Sequence, residues 1–267
     1  MEFKSLGKSE VNVAALGMGT WNMNNPEGNV ESLKKGIKMG MTFIDTAEMY
    51  GSGKSEEVVG KAIKGVRDKV FIATKVLPQN LRYDDLIAAA DRSLKRLDIS
   101  TIDLYQIHWS STSVPIGESI RAMEHLVDKG KIRFIGVSNF SVRETKEAQD
   151  ALSKYELVSN QVEYSLVERG IEADLLPYCQ RENITVIAYT PLGHGRILHG
   201  NKGEDLRGVA NKLGRTPIQV ALNWLISKPG VTAIPKSSRI DHLEENFGAV
   251  DWKLSAEDAI FLDNLFR

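Results

Sequence analysis

Short apolar runs alternate with amphipathic stretches along the whole chain. The strand-like runs are VAALGMGTW, ending near Gly17 to Trp21; MTFIDTA, Met41 to Ala47; KVFIATKV, Lys69 to Val76; and IDLYQIHW, Ile102 to Trp109. They continue with IRFIGVSN, Ile132 to Asn139; the weaker YELVSNQVE, with Leu157 to Gln161 as its core; ITVIAYT, Ile184 to Thr190; and GVTAIPKS, Gly230 to Ser237. Between several of them, apolar residues recur at helical spacing. Leu81 to Leu97 places Leu86, Ile87, Ala90, Leu94 and Leu97 near one face, and Ile116 to Val127 does so with Ile120, Met123 and Val127. Val142 to Leu152 and Ile171 to Arg181 are weaker examples. Thr216 and Pro217, a cap followed by proline, open a helix over Pro217 to Ile226.

Eight such runs separated by helices predict an α/β protein with a (β/α)8 TIM barrel, one domain spanning residues 1–267. Most runs are apolar on both faces, as a parallel sheet covered by helices requires. The opening FKSLGKSEVNVAAL differs: two short runs flank Gly7 and Lys8, which reads as a β-hairpin covering the barrel bottom. The tail, Leu254 to Phe266, reads as an extra C-terminal helix with Ser255 as cap and Glu257 and Asp258 in its first turn. Pro191 to Glu204, rich in Gly and His, is the longest irregular stretch and predicts a lid or binding loop. A doubly wound open sheet would alternate in the same way. Against it, no GxGxxG opens a helix after the first strand, and Gly17-Met18-Gly19-Thr20 is too short for that fingerprint.

Composition narrows the class. The 267 residues are 42% hydrophobic and 26% charged, with 34 basic and 35 acidic side chains and a net charge of -1. A nucleic-acid partner is not implied. No apolar run approaches the roughly 18 residues of a membrane span, and MEFKSLGKSE has no apolar leader core. The single cysteine, Cys179, excludes a disulfide within the chain and fits a reducing compartment, so a cytoplasmic location is expected. His194 and His199 share a loop but lack the partners of a metal site, so no metal is expected.

Candidate chemistry lies in four ionisable side chains. Asp45, Lys75 and His108 each close an apolar run, and Tyr50 follows Asp45 in FIDTAEMYG. A barrel gathers strand ends at one mouth, where neighbouring strands lie roughly 5 Å apart. A tyrosine has an ordinary pKa of about 10, and a nearby ammonium stabilises its phenolate and lowers that value. A carboxylate paired with the lysine holds it charged and oriented. A histidine donates to a carbonyl oxygen or relays a proton. Together these groups suit protonation of a carbonyl oxygen as negative charge develops there. Taken singly, each has an ordinary structural reading: Asp45 as a helix cap, Tyr50 as loop packing, Lys75 as a snorkelling lysine, His108 as a core histidine.

Several long motifs carry a resemblance. GMTFIDTAEMYGSGKSEEVVG (Gly40 to Gly60), SLKRLDISTIDLYQIHW (Ser93 to Trp109), GVSNF (Gly136 to Phe140) and IPKSSRIDHLEEN (Ile234 to Asn246) strongly resemble the aldo-keto reductase superfamily, in order and over essentially the whole chain. The resemblance implies a barrel that reduces aldehydes and ketones with NADPH, with Asp45, Tyr50, Lys75 and His108 as its tetrad and Tyr50 as general acid. It also implies a small carbonyl substrate and a monomer or weak homo-oligomer.

For the cofactor, the resemblance implies that Ser138, Asn139 and Gln161 meet the nicotinamide carboxamide, and amide side chains do supply the complementary donors and acceptors. It puts Tyr189 against the nicotinamide ring and a loop from Thr190, Pro191, Leu192 and Gly193 across the pyrophosphate. Gly19, Thr20 and Trp21 are expected to touch cofactor or substrate. Lys236, Ser237, Ser238 and Arg239 precede a predicted helix, a good phosphate site in its own right. The resemblance assigns it to the adenosine 2'-phosphate, with Glu245 and Asn246 near the adenine. His242 stands where many NADPH-preferring relatives carry arginine, which leaves NADH use open. Ser110 replaces the proline that often follows the histidine-tryptophan pair. The sequence stops at Arg267, without the longer C-terminal loop of narrow-pocket relatives, so an open pocket walled by Trp21, Met49 and Trp109 is expected. The alternative is a slow NADP(H)-binding regulatory or structural subunit of an assembly, against which the intact tetrad argues.

Overall fold

In the computed structural model, which describes residues 1–23 and 26–267, a β-hairpin precedes an eight-stranded parallel sheet. The hairpin is β1 (Phe3–Ser5) and β2 (Asn12–Ala14), paired antiparallel. The sheet runs in sequence order: β3 (Met18–Gly19), β4 (Phe43–Asp45), β5 (Phe71–Val76), β6 (Ile102–Ile107), β7 (Ile132–Ser138), β8 (Leu157–Glu163), β9 (Thr185–Tyr189) and β10 (Val231–Ala233). It closes on itself. Gly17 N–H donates to Ala233 O at 2.8 Å, Ala233 N–H to Ala15 O at 2.9 Å, and Gly19 pairs in parallel with Lys236. Closure brings backbones close: a Cβ on Gly19 would lie 2.8 Å from Ile234 O, so glycine is required there.

The barrel and its hairpin therefore match the sequence reading, with one adjustment. The run VAALGMGTW is not one strand. Register pairs Phe3 with Ala14, so its first residues complete the hairpin and only Met18–Gly19 enters the barrel. Leu6, Val13 and Ala14 pack with Phe43, Phe71, Leu104, Ile187 and Ile234 in one apolar cluster, so the hairpin plugs the end opposite the strand C-termini.

Helices wrap the outside: α1 (Pro26–Met39), α2 (Lys54–Ile63), α3 (Tyr83–Leu97), α4 (Ile116–Asp128), α5 (Val142–Ala151), α6 (Leu175–Glu182), α7 (Gly200–Leu213), α8 (Pro217–Ser227), α9 (Ile240–Phe247) and α10 (Ala256–Leu265). Their apolar faces and the outward faces of the strands form the larger core. Caps read from sequence are present. Thr216 and Gln219 form a capping box on α8, and Ser255 accepts from the Asp258 N–H at the start of α10. Pro191 to Glu204 is less irregular than expected. A 3₁₀ segment covers Gly193–Leu198, and α7 starts at Gly200 and buries Leu206, Val209 and Ala210. No helix among the described residues is long and apolar enough to cross a membrane.

Candidate active site

Parallel strands deliver their C-terminal ends to one mouth. Asp45 ends β4, Lys75 lies near the end of β5, and His108 directly follows β6. Ser138 ends β7, Gln161 lies in β8, and Tyr189 ends β9. Strand alternation turns Lys75 inward. Its side chain is fully buried, and its Nζ donates to Asp45 Oδ1 at 2.6 Å, to Thr46 O at 2.8 Å and to the Tyr50 hydroxyl at 3.4 Å. The second oxygen of Asp45 accepts from Gln161 Nε2 at 2.7 Å and Gln106 Nε2 at 3.5 Å. A buried ammonium is costly unless paired, and here every donor has a destination.

A cleft of about 460 Å³ opens over this cluster. Its lining includes Gly19, Thr20, Trp21, Asp45, Tyr50 and His108 from the first half of the chain. Ser138, Asn139, Gln161, Tyr189, Thr190, Pro191, Leu192 and Lys236 come from the second. One rim is apolar: Trp21, Met49 and Trp109 are exposed, and the Trp109 ring stacks on His108 at 3.8 Å. The opposite side is an amide cluster. Asn139 adopts a left-handed φ of 60°, donates to His108 O at 3.0 Å and accepts from the Tyr189 hydroxyl at 2.8 Å. Ser138 Oγ donates to Gln161 O at 2.9 Å.

Gly193 is buried beside this cleft, but the cleft lining as far as Lys236 does not take in Ser237, Ser238, Arg239, His242, Glu245 or Asn246. These residues cluster at the start and along the length of α9. Lys236 Nζ donates to Ser238 Oγ at 3.1 Å. Arg239 is engaged by Asp241, with Nε donating to Oδ1 at 3.0 Å, a pairing the sequence reading missed. It also missed Gln106, although a polar residue in a buried run two positions before His108 shares that residue's side of the strand. His194, which edges against Trp21 at 6.3 Å between ring centres and lines the cleft, was weighed only as a metal ligand.

A flat aromatic side chain, an amide edge and a cationic end suit a nicotinamide dinucleotide, and the buried lysine-phenol pair suits carbonyl chemistry. The Aldo/keto reductase family model matches residues 15–265. This chain belongs to the aldo/keto reductase family. It is an NAD(P)H-dependent reductase of small carbonyl compounds. Among its relatives is the methylglyoxal reductase YeaE of Escherichia coli, 40% identical over 263 residues, covering 96% of this chain and 92% of the relative. The thermostable aldo-keto reductase Tm1743, solved with the inhibitor epalrestat, superposes with a TM-score of 0.94 at 44% identity, covering 99% and 100% of the two chains. An aldo-keto reductase from Klebsiella pneumoniae, solved with NADPH, gives 0.92 at 40% identity, covering 100% and 96%.

The electrostatics of the reductase correct one expectation. Burial raises the Tyr50 pKa, Lys75 offsets only part of that, and Asp45 adds to it. The net effect is a phenol held above its ordinary value, not below it. Burial also works against the Lys75 ammonium, but Asp45 and Tyr50 outweigh it, so Lys75 stays charged. Burial, with a smaller push from Lys75, lowers His108 to about 3, so its imidazole is neutral near pH 7.

That depression has a stability consequence. The unfolded chain takes up a proton on this histidine below about pH 6.5, and the folded chain does so only near 3. Stability is therefore lost as pH falls through that window, by about 1.4 kcal/mol per pH unit from this group. His108→Gln is expected to flatten the acid limb of a melting-temperature profile between pH 6 and 4. An unchanged limb would show that other groups carry it.

Proposed function

We propose that the reductase converts small α-oxoaldehydes of the methylglyoxal type to hydroxy-carbonyl products, with Tyr50 as the proton donor. The observation that carries this reading is the buried Lys75–Asp45 pair at 2.6 Å beneath the Tyr50 hydroxyl, at the floor of a small open cleft. The relative reported as a methylglyoxal reductase supports the substrate class. NADPH, when bound, supplies the hydride.

The chain's own groups do the rest. Tyr50 is protonated near neutrality and gives its proton to the carbonyl oxygen as charge builds there. Lys75 stabilises the resulting phenolate, and Asp45 fixes Lys75 in place and in charge. Neutral His108 acts as a hydrogen-bond donor to the same oxygen. Trp21, Met49 and Trp109 form an apolar wall that suits a short substrate. Gly19, Thr20, Ser138, Asn139, Gln161 and Tyr189 would hold the nicotinamide half, with Thr190, Pro191, Leu192 and Gly193 along the pyrophosphate. Lys236, Ser237, Ser238, Arg239, His242, Glu245 and Asn246 would hold the adenosine half. A single, buried cysteine fits a cytoplasmic setting.

One assay tests substrate and cofactor together. Oxidation of NADPH is followed with methylglyoxal, glyoxal and simple ketones, and then with NADH. Turnover of the α-oxoaldehydes should exceed that of ketones about tenfold, one or two kcal/mol of transition-state discrimination. Binding of NADPH without turnover across the panel would sink the reading. Lys236 pairs with no carboxylate among the described residues, whereas Arg239 is held by Asp241. Lys236→Ala should therefore raise the KM for NADPH about tenfold and leave NADH nearly unchanged, the scale of one charge-assisted contact. Equal effects on both cofactors would reject a 2'-phosphate role for Lys236.

A further inference from the structure

Tyr50 sits on a strained support. After it, Gly51, Ser52 and Gly53 all have positive φ, of 58°, 56° and 92°, before α2 begins at Lys54. Ser52 is not a glycine, and a left-handed serine persists only where its surroundings over-determine it. The Tyr50 hydroxyl in turn meets Lys75 at 3.4 Å, a long contact that a small displacement of the segment would break.

The bracing comes from behind the barrel wall. Glu56, on the first turn of α2, is fully buried. Its Oε1 accepts from Thr74 Oγ at 2.6 Å and its Oε2 from Arg96 Nε at 2.6 Å. Thr74 immediately precedes Lys75 on β5 and faces outward where Lys75 faces in. Arg96, from α3, lies directly on Gly53: a Cβ there would come within 2.5 Å of Arg96 Cδ, and the φ of 92° independently favours glycine. Arg96 also approaches Glu48 Oε2 at 4.0 Å. Glu48 precedes Tyr50 and accepts from Leu77 N–H at 2.7 Å and Asn80 Nδ2 at 3.0 Å. One guanidinium thus joins carboxylates on both sides of Tyr50 and presses on the turn between them.

We infer that Glu56 and Arg96, neither of which lines the cleft, are positioning residues that set the distance between Tyr50 and Lys75. The inference rests on the proposed role of Tyr50. Glu56 ties the helix after the tyrosine to the residue beside the lysine, so the two members of the proton-transfer pair are registered through one carboxylate.

The test reads kcat, NADPH affinity, pH dependence and melting temperature in Glu56→Gln and Arg96→Lys. A misplacement of about 1 Å at a reacting group can cost 10²-fold, so kcat should fall about 10- to 100-fold per folded molecule. NADPH affinity, set by residues on other strands, should stay within about twofold. The groups facing Tyr50 are Lys75, Asp45, His108 and Tyr189. With Lys75 further away, the phenolate loses the stabilising effect of that cation, so the pH limb for alcohol oxidation should move to higher pH. Arg96→Lys keeps the charge without the fork, so its loss should be the smaller of the two. If Glu56→Gln does not fold, Thr74→Val removes one donor to the same carboxylate and should give a smaller loss with the same pH shift. A lower melting temperature with kcat and pH limb unmoved would overturn the inference. If Tyr50→Phe also retained activity, the proposed function would fail with it; if Tyr50→Phe abolished activity, the positioning role alone would fail.

Discussion

Replacing Tyr50 with phenylalanine is expected to lower kcat for carbonyl reduction by about 10²- to 10⁴-fold, the range of a positioned general acid. The fold should be nearly untouched. The hydroxyl makes one long contact, 3.4 Å from Lys75, while Lys75 keeps Asp45 at 2.6 Å and Thr46 O at 2.8 Å. One N–H of the buried Lys75 loses its partner, but that contact is long and weak, so the melting temperature should fall by no more than about 4 °C. NADPH binding should persist, because the amide cluster of Ser138, Asn139 and Gln161 does not involve the phenol. Residual activity is expected from hydride delivery and from His108 as a donor. Cofactor oxidation with methylglyoxal measures the effect, and a loss of less than about tenfold would remove Tyr50 from the proton transfer.

The raised pKa of Tyr50 gives this prediction a direction. A phenol above its ordinary value is fully protonated at neutral pH and ready to donate. The reverse reaction needs the phenolate and should therefore be favoured only at higher pH. Sequence alone suggested the opposite shift, because it supplied the lysine but not the burial. Desolvation depends on what covers the group, and neighbours such as His108, whose ring meets that of Tyr50 edge-on, arrive only once the barrel closes.

The same distinction separates what was readable from what was not. Strand runs such as VFIATKV and LYQIHW are mostly apolar, and a charged residue in such a run demands a partner, so Lys75 called for a carboxylate before any geometry. Caps were readable because they are local: Thr216 with Gln219, Ser255 with Asp258. The α7 helix was hidden because glycines at 200, 203 and 208 dilute its periodicity, although Leu206, Val209 and Ala210 keep helical spacing. The division of VAALGMGTW depends on pairing register with Phe3 to Ser5, a non-local choice. The sequence puts Arg239 beside a phosphate site, but its capture by Asp241 depends on rotamers at an exposed helix start. Gln106 shows the opposite case, a buried polar residue whose alternation with His108 was a signal available and unused.

Lys75→Met is expected to damage rate and stability together, and the double variant Asp45→Asn/Lys75→Met should separate them. Removing the ammonium leaves the Asp45 carboxylate in the barrel with Gln161 at 2.7 Å and Gln106 at 3.5 Å as its side-chain donors among the described residues. Breaking a buried pair from one side costs about 3–5 kcal/mol, which in a chain of this size lowers the melting temperature by about 10 °C. The Lys75 pKa is raised in the folded state, so its contribution is complete below the unfolded value near 10.4 and is lost only as pH rises through the folded one. A comparison at pH 7 therefore reads the whole effect. Substituting Asp45→Asn in the same chain removes the stranded charge, and most of the lost melting temperature should return. The rate should not return, because the phenolate left by Tyr50 still has no cation beside it. A double variant that regains kcat along with stability would show that Lys75 and Asp45 serve the fold and not the proton transfer.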